Sequence, residues 1–183
     1  MITTRQETLV TNVADGTAIT AATAASCIPT GAVITLPPSF WYPGRTMRIT
    51  ASGNITCAAT TPGTARFDVR LGGTVVFDTL DAQLNTQGRT NANWYIIIEL
   101  TCRTIGSGTS ATLVGIARFT SDAIVGAPLP QNGGASTLIL PLGGTQTGSG
   151  FDSTSKATLD LFFTQSVATG SMTLRQYRVE SLN

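Results

Sequence analysis

The fold class follows from one stretch, Ala65-Arg66-Phe67-Asp68-Val69-Arg70-Leu71-Gly72-Gly73-Thr74-Val75-Val76-Phe77. Its odd-numbered positions from 65 to 71 are apolar, and the three positions between them are charged. This alternation predicts a β-strand with one buried and one outer face. Gly72-Gly73 then predicts a two-residue hairpin turn, because both central residues of such a turn require positive φ. The stretch therefore indicates two antiparallel strands.

Similar runs lie on both sides of this hairpin. The run WYIIIELTCR at 94–103 alternates in the same way, and its first half is apolar on both faces. Further runs occupy 33–36, 46–50, 112–119, 137–140, 158–163 and 172–179, separated by clusters of Gly, Pro, Asn and Ser. Helical spacing is almost absent, and no short repeat of fixed period indicates a β-helix. We predict an all-β protein, an antiparallel jelly-roll-like β-sandwich with an extended N-terminal arm.

Two regions depart from the strand pattern. Residues 11–32 are rich in Ala and Thr with weak periodicity, so residues 1–30 are predicted to be an N-terminal arm or an edge segment. Residues 31–183 are predicted to form the sandwich domain. Within it, the Gly-rich segments 126–134 and 143–150 indicate two long loops around one short strand.

Composition excludes several classes of function. The net charge is +1 and charged residues make up 11% of the chain, against about 25% in an ordinary soluble domain. Nucleic-acid binding, which needs clustered basic residues, is not expected. Neither a membrane-spanning stretch nor a signal peptide is evident, so synthesis in a cytoplasm without membrane contact is expected. Three widely spaced cysteines, Cys27, Cys57 and Cys102, are predicted to be free and mostly buried thiols.

The exposed edges of the strands need protection. Lysine often protects such edges, but the chain has ten arginines and a single lysine, Lys156. Either closure, proline and loops cover the edges, or another subunit covers them. Strands that are apolar on both faces, at 94–98 and 159–163, favour a second subunit and predict a closed homo-oligomer.

Five residues are candidates for partner contacts. Ile2 and Arg5 belong to the predicted arm. Phe40, Trp41 and Tyr42 precede a Pro-Gly turn and are either an exposed anchor or a plug that closes one end of the core. The charged row Arg66, Asp68 and Arg70 is interpreted as an outer sheet face with cross-strand ion pairs.

No enzymatic chemistry is predicted. The chain has no histidine, which excludes Ser-His-Asp, Cys-His and the usual zinc hydrolase sites. Asp78 and Asp81 suit a solvated loop better than a carboxylate pair. Ser153 and Lys156 match a Ser-x-x-Lys pattern but lack the other motifs of the enzymes that use it. We therefore expect no catalytic residue, no metal and no cofactor.

Several segments together resemble small proteins encoded in the structural gene clusters of tailed bacteriophages. The likeness runs from about residue 30 onward and is carried by TLPPSFW (35–41), GRTMRITASG (44–53), TPGT (61–64), LGGTVVFD (71–78), residues 94–103 and YRVESLN (177–183). It is a pattern of strands and turns rather than a catalytic signature. It transfers no site residue to this chain.

The resemblance implies a virion protein of jelly-roll-like fold that decorates or cements the capsid surface as a homotrimer. Its partners would be the major capsid protein and copies of itself, with the arm reaching across a capsid seam by strand addition. The alternative is a tail, head-fibre or receptor-binding component that recognises host-surface carbohydrate through Trp41, Tyr42 or the loops between 126 and 150.

Overall fold

The structure is a computed structural model that describes residues 6–125, 136–144 and 146–183. Within these ranges it contains one turn of 3-10 helix (Thr30–Ala32) and twelve strands. The strands are β1 (Glu7–Thr11), β2 (Ala25–Ser26), β3 (Ile34–Leu36), β4 (Thr46–Cys57), β5 (Thr64–Leu71), β6 (Thr74–Asp78), β7 (Ala82–Gln83), β8 (Arg89–Thr104), β9 (Thr112–Ser121), β10 (Thr137–Leu140), β11 (Ala157–Gln165) and β12 (Ser171–Ser181).

The strands form two sheets that pack face to face. The six-stranded sheet has the order β1-β12-β4-β8-β9-β10. In the second sheet, β11 and β5 are paired at the centre. The short strands β2 and β3 pair with the edge of β11 that faces away from β5. On the other side, β6 and β7 pair with the edge of β5 that faces away from β11. All these pairings are antiparallel, so the predicted antiparallel all-β sandwich is confirmed.

The hairpin that decided the fold class is the β5–β6 unit. Gly72 and Gly73 have φ values of 58° and 90°, which L-residues with a side chain rarely adopt. The odd-numbered residues of β5 are buried, as the alternation predicted. β8 behaves in the same way, with Trp94 and Ile96 buried and Tyr95 on the outer face.

The core has an aromatic centre between the sheets. The ring of Phe67, on β5, lies 5.2 Å from Trp94, 5.4 Å from Phe119 and 5.2 Å from Phe163, measured between centroids. Trp94 and Phe119 belong to the six-stranded sheet, while Phe163 lies beside Phe67 on β11. Phe67 therefore joins the two sheets at one point.

The outer face of the second sheet is covered by ion pairs within the chain. Arg70 pairs with Asp68 on its own strand, and Arg66 pairs with Asp78 on β6. The Arg70 guanidinium also lies 3.7 Å from the ring centroid of Phe162. Phe162 is thus covered by its own chain, although its strand was one of the two whose apolar faces predicted a second subunit.

The N-terminal segment lies along the edges of both sheets. After β1 pairs with β12, Gly16 donates its N–H to Leu174 and Ile19 exchanges two hydrogen bonds with Met172. The chain then crosses to the second sheet, where β2 pairs with β11. We call residues 7–28 the N-terminal clasp, because they close one open side of the sandwich. Within the clasp, β1 and β2 are edge strands of their own chain.

The opposite side of the sandwich is closed by residues 146–151. Gly115, on β9, donates its N–H to the Gln146 carbonyl at 2.7 Å. Ser149 donates its N–H to the Val75 carbonyl on β6 at 2.9 Å. This part of the predicted 143–150 loop therefore links the two sheets, while the predicted loop at 126–134 lies outside the described residues.

The three cysteines are free and buried, as predicted. Burial raises the pKa of all three thiols. A raised thiol pKa keeps the sulfur protonated and unreactive near neutral pH. In the described part of the chain, no helix is long and apolar enough to cross a membrane.

Candidate functional site

The aromatic triplet predicted for partner contacts is divided between core and surface. Trp41 is only 4% exposed, and its ring makes edge contacts with Phe40 at 5.3 Å and Phe151 at 6.2 Å. Trp41 thus fits the core-plug interpretation and offers no surface to a partner. Tyr42 is 44% exposed and Phe40 is partly buried.

Arg45 covers both outer rings of this triplet. Its guanidinium carbon lies 4.0 Å from the Phe40 ring centroid and 4.9 Å from that of Tyr42. It also donates a hydrogen bond to the Phe40 carbonyl. The two rings therefore already have a cation within the chain. The other two candidates, Ile2 and Arg5, lie outside the described residues.

The residues weighed for catalysis serve the local structure. Asp78 pairs with Arg66 and accepts the Leu80 N–H at 2.8 Å, which fixes the loop that leads to Asp81. The Ser153 hydroxyl is buried between the N–H and the carbonyl of Gly106, whereas Lys156 is exposed. Among the residues that the structure describes, no group of three or more acidic, Cys or His side chains could hold a metal ion.

The outer face of the six-stranded sheet carries two adjoining clefts. A cleft of about 490 Å³ crosses β9, β8, β4 and β12, and an adjoining cleft of about 400 Å³ continues to β1. The two clefts share Ser52, Tyr95 and Gln176. We call the continuous depression the polar trough. Tyr95 lies at its centre with 41% of its surface exposed.

A β-bulge in β12 supplies two side chains to the polar trough. The pairing of β12 with β4 shifts between Leu174 and Gln176, so Arg175 and Gln176 both point outward. Gly53, opposite the bulge, makes this possible. A Cβ at Gly53 would meet the carbonyl oxygen of Thr173.

Hydrogen bonds fix the orientation of the trough side chains. Asn54 donates to the Asn93 side-chain oxygen at 3.0 Å and accepts from the Arg175 Nε at 3.1 Å. Ser52 donates to the Gln176 side-chain oxygen at 3.3 Å. Arg175 also pairs with Asp15 of the N-terminal clasp, so its charge is balanced. The side-chain oxygens of Asn93 and Gln176 thus accept hydrogen bonds from within the chain.

Next to the polar trough, the same face carries an apolar stripe. It consists of Ile97, Ile116 and Ile139, which lie on β8, β9 and β10 around a depression of about 390 Å³. The exposed Arg118 lies on the same face between Ile97 and Ile139, its cross-strand neighbours. Ile116 is 41% and Ile139 58% exposed. The ion pair of Arg48 with Glu99, with a hydrogen bond of 2.9 Å from the arginine Nε, borders the stripe.

Sequence reasoning did not identify the trough residues, although a signal was present. In β12 the buried positions run Met172, Leu174, Tyr177 and Val179, so the alternation slips by one residue after Leu174. Such a slip is the mark of a bulge, and bulges often lie beside functional sites. The apolar stripe was anticipated only in part, through the run at 94–98.

Comparison with known proteins identifies no family. No family model matches the chain, and no curated protein matches it. A solved structure, the CBM2 module of the evolved Dit of Lactobacillus casei BL23 phage J-1, is similar over 82% of this chain and 69% of its own. The sequence identity is 14% and the TM-score is 0.40.

Proposed function

We propose that the protein is a structural component of a bacteriophage particle, where it decorates the capsid surface and stabilises the shell. Its proposed partners are the major capsid protein and further copies of itself. The resemblance of its strand and turn pattern to phage virion proteins suggests this class. The low proportion of charged residues suits a surface that is largely covered in an assembly.

The apolar stripe is the observation that carries the assembly part of the proposal. Ile116 and Ile139 are both exposed and lie on the same outer face of neighbouring strands, and such exposed apolar residues are typical of an interface. β10, which carries Ile139, is the edge strand of its sheet, and its only paired strand in the described structure is β9. We propose that a second copy of the chain covers the stripe and that three copies close into a ring.

Replacing Ile139 with lysine is expected to shift the oligomer to monomer. A lysine at this position would have to lose its water on association, which costs several kcal/mol unless it is paired, and its cross-strand neighbour Arg118 carries the same charge. Sedimentation velocity over a range of protein concentrations measures the change. Ile105→Lys is the matched control, because Ile105 is 50% exposed in the turn after β8, away from the stripe. An unchanged sedimentation coefficient for Ile139→Lys would contradict this interface.

The copy number of the protein in purified particles tests the decoration role. Quantitative mass spectrometry against the major capsid protein is expected to give hundreds of copies in fixed ratio to the shell. A dozen copies or fewer would instead assign the protein to a tail or fibre. Its absence from particles would overturn the virion proposal altogether.

The second candidate function is a tail, head-fibre or receptor-binding component that recognises host-surface carbohydrate. The observation that favours it is the polar trough, which combines an exposed aromatic ring with fixed amide side chains. This site differs from Trp41 and Tyr42, to which the sequence pointed. A component of this kind would bind host cells as an isolated protein, whereas a decoration protein would bind assembled capsids.

A further inference from the structure

We infer that the polar trough binds an uncharged oligosaccharide, with one sugar stacked on Tyr95 and its neighbours held by Asn93, Gln176 and Asp122. The inference deepens the second candidate function and rests on it. It assigns the ligand class and the residues that bind it.

The trough offers unused hydrogen-bonding groups of both kinds. Because the oxygens of Asn93 and Gln176 accept hydrogen bonds from Asn54 and Ser52, their amide nitrogens point away from those partners. Across the described residues, neither nitrogen has a hydrogen-bond acceptor, and neither the Asp122 carboxylate nor the Tyr95 hydroxyl has a partner. Two donors, a carboxylate acceptor and a phenol thus line one cleft. Sugar hydroxyls, which donate and accept, complement such a set.

Tyr95 supplies the apolar part of the site. Its strand alternation makes it the one aromatic residue of β8 on the outer face, while Trp94 beside it packs in the core. An aromatic ring is apolar on its face and loses little conformational entropy on binding. The C–H face of a pyranose ring matches such a surface.

The charges in the trough argue for a neutral ligand. Arg175 is already paired with Asp15, and Arg178 lies 3.5 Å from the Glu180 carboxylate. No cluster of unpaired cations is therefore available for phosphate or sulfate, and the free Asp122 carboxylate would repel an anion.

The direction of the trough argues for an extended sugar chain rather than a peptide strand. It runs across β9, β8, β4, β12 and β1, and four inter-strand spacings of about 4.8 Å make it roughly 19 Å long. The backbone groups on its floor are already paired in the sheet. Strand addition, which needs a free edge, cannot occur there.

The experiment is a binding measurement with the full chain on an array of neutral and anionic oligosaccharides of several sugars. Isothermal titration calorimetry with the neutral oligosaccharide of strongest signal then compares variants. We expect Tyr95→Ala to weaken binding by about tenfold or more and Tyr95→Phe to retain most of it. Gln176→Glu, which removes the amide donor but keeps the size, is expected to weaken binding severalfold. Tyr42→Ala tests the competing aromatic, which is equally exposed.

Each outcome decides the inference. Loss of binding in Tyr95→Ala but not in Tyr42→Ala, with both variants melting at the wild-type temperature, supports it. Binding by the wild type that Tyr95→Ala leaves intact would overturn the site but keep the second candidate function. Preference for anionic oligosaccharides would overturn the ligand class. Failure of the wild type to bind any array member would overturn both, while leaving the copy-number result untouched.

Discussion

Replacing Phe67 with alanine is expected to lower the free energy of unfolding by about 3–5 kcal/mol, the range for large aromatic side chains deleted from a core. Phe67 is buried and touches the rings of Trp94, Phe119 and Phe163, which come from both sheets. Its removal would leave a cavity between two relatively rigid sheets that cannot close around it. Urea unfolding at a fixed protein concentration, followed by tryptophan fluorescence, measures the loss.

Phe162→Ala is the matched control for this prediction. Phe162 lies one residue from the core position Phe163 but on the outer face, where Arg70 covers it. Its removal is expected to cost only about 1–2 kcal/mol. Equal losses for the two variants would contradict the view that the aromatic cluster around Phe67 is the centre of the core.

Replacing Gly53 with alanine is expected to lower the free energy of unfolding by about 1–3 kcal/mol, although only a methyl group is added. The new Cβ would meet the Thr173 carbonyl oxygen and lie 3.0 Å from the Leu174 Cα, both backbone atoms of the adjacent strand. Backbone within a sheet cannot move without breaking its hydrogen bonds. The shift would also displace Arg175 and Gln176 from the polar trough.

Gly31→Ala serves as the control for Gly53. No atom lies within 4 Å of a Cβ added at Gly31, and its φ is not positive. Its replacement is expected to change the free energy of unfolding by less than about 1 kcal/mol. Denaturant midpoints of the two variants compare them directly. Similar midpoints for both would show that β12 adjusts to the added methyl group.

The alternation of apolar residues predicted most of the sheet because it reports burial directly. β10 was predicted at its observed bounds, and β5, β9, β11 and β12 within two residues of theirs, whereas β8 begins five residues before its predicted start at Trp94. β4 was predicted only to Thr50, since Ser52, Gly53 and Asn54 read as turn residues. In the structure they continue the strand, and Gly53 is required by the bulge opposite it rather than by a turn.

The N-terminal clasp and the polar trough were harder to predict for a common reason. Both depend on pairings between residues far apart in the chain, such as Asp15 with Arg175 and Ser52 with Gln176. Local patterning carries no information about which distant strands become neighbours. The aromatic triplet at 40–42 drew attention because it is conspicuous in sequence, whereas Tyr95 lies within a strand that reads as core on both faces.

The position of β12 has a consequence for how the protein is made. Of the twelve strands it is the last to be synthesised, yet it lies between β1 and β4 and pairs with the first part of the N-terminal clasp, from β1 to Ile19. The hydrogen bond between Asn12 and Tyr177 therefore cannot form until more than 160 intervening residues have been synthesised. Contacts of such separation slow folding. Until β12 has been synthesised, the edge of β4 that will pair with it stays open. We therefore expect nascent chains to be more prone to aggregate than finished ones.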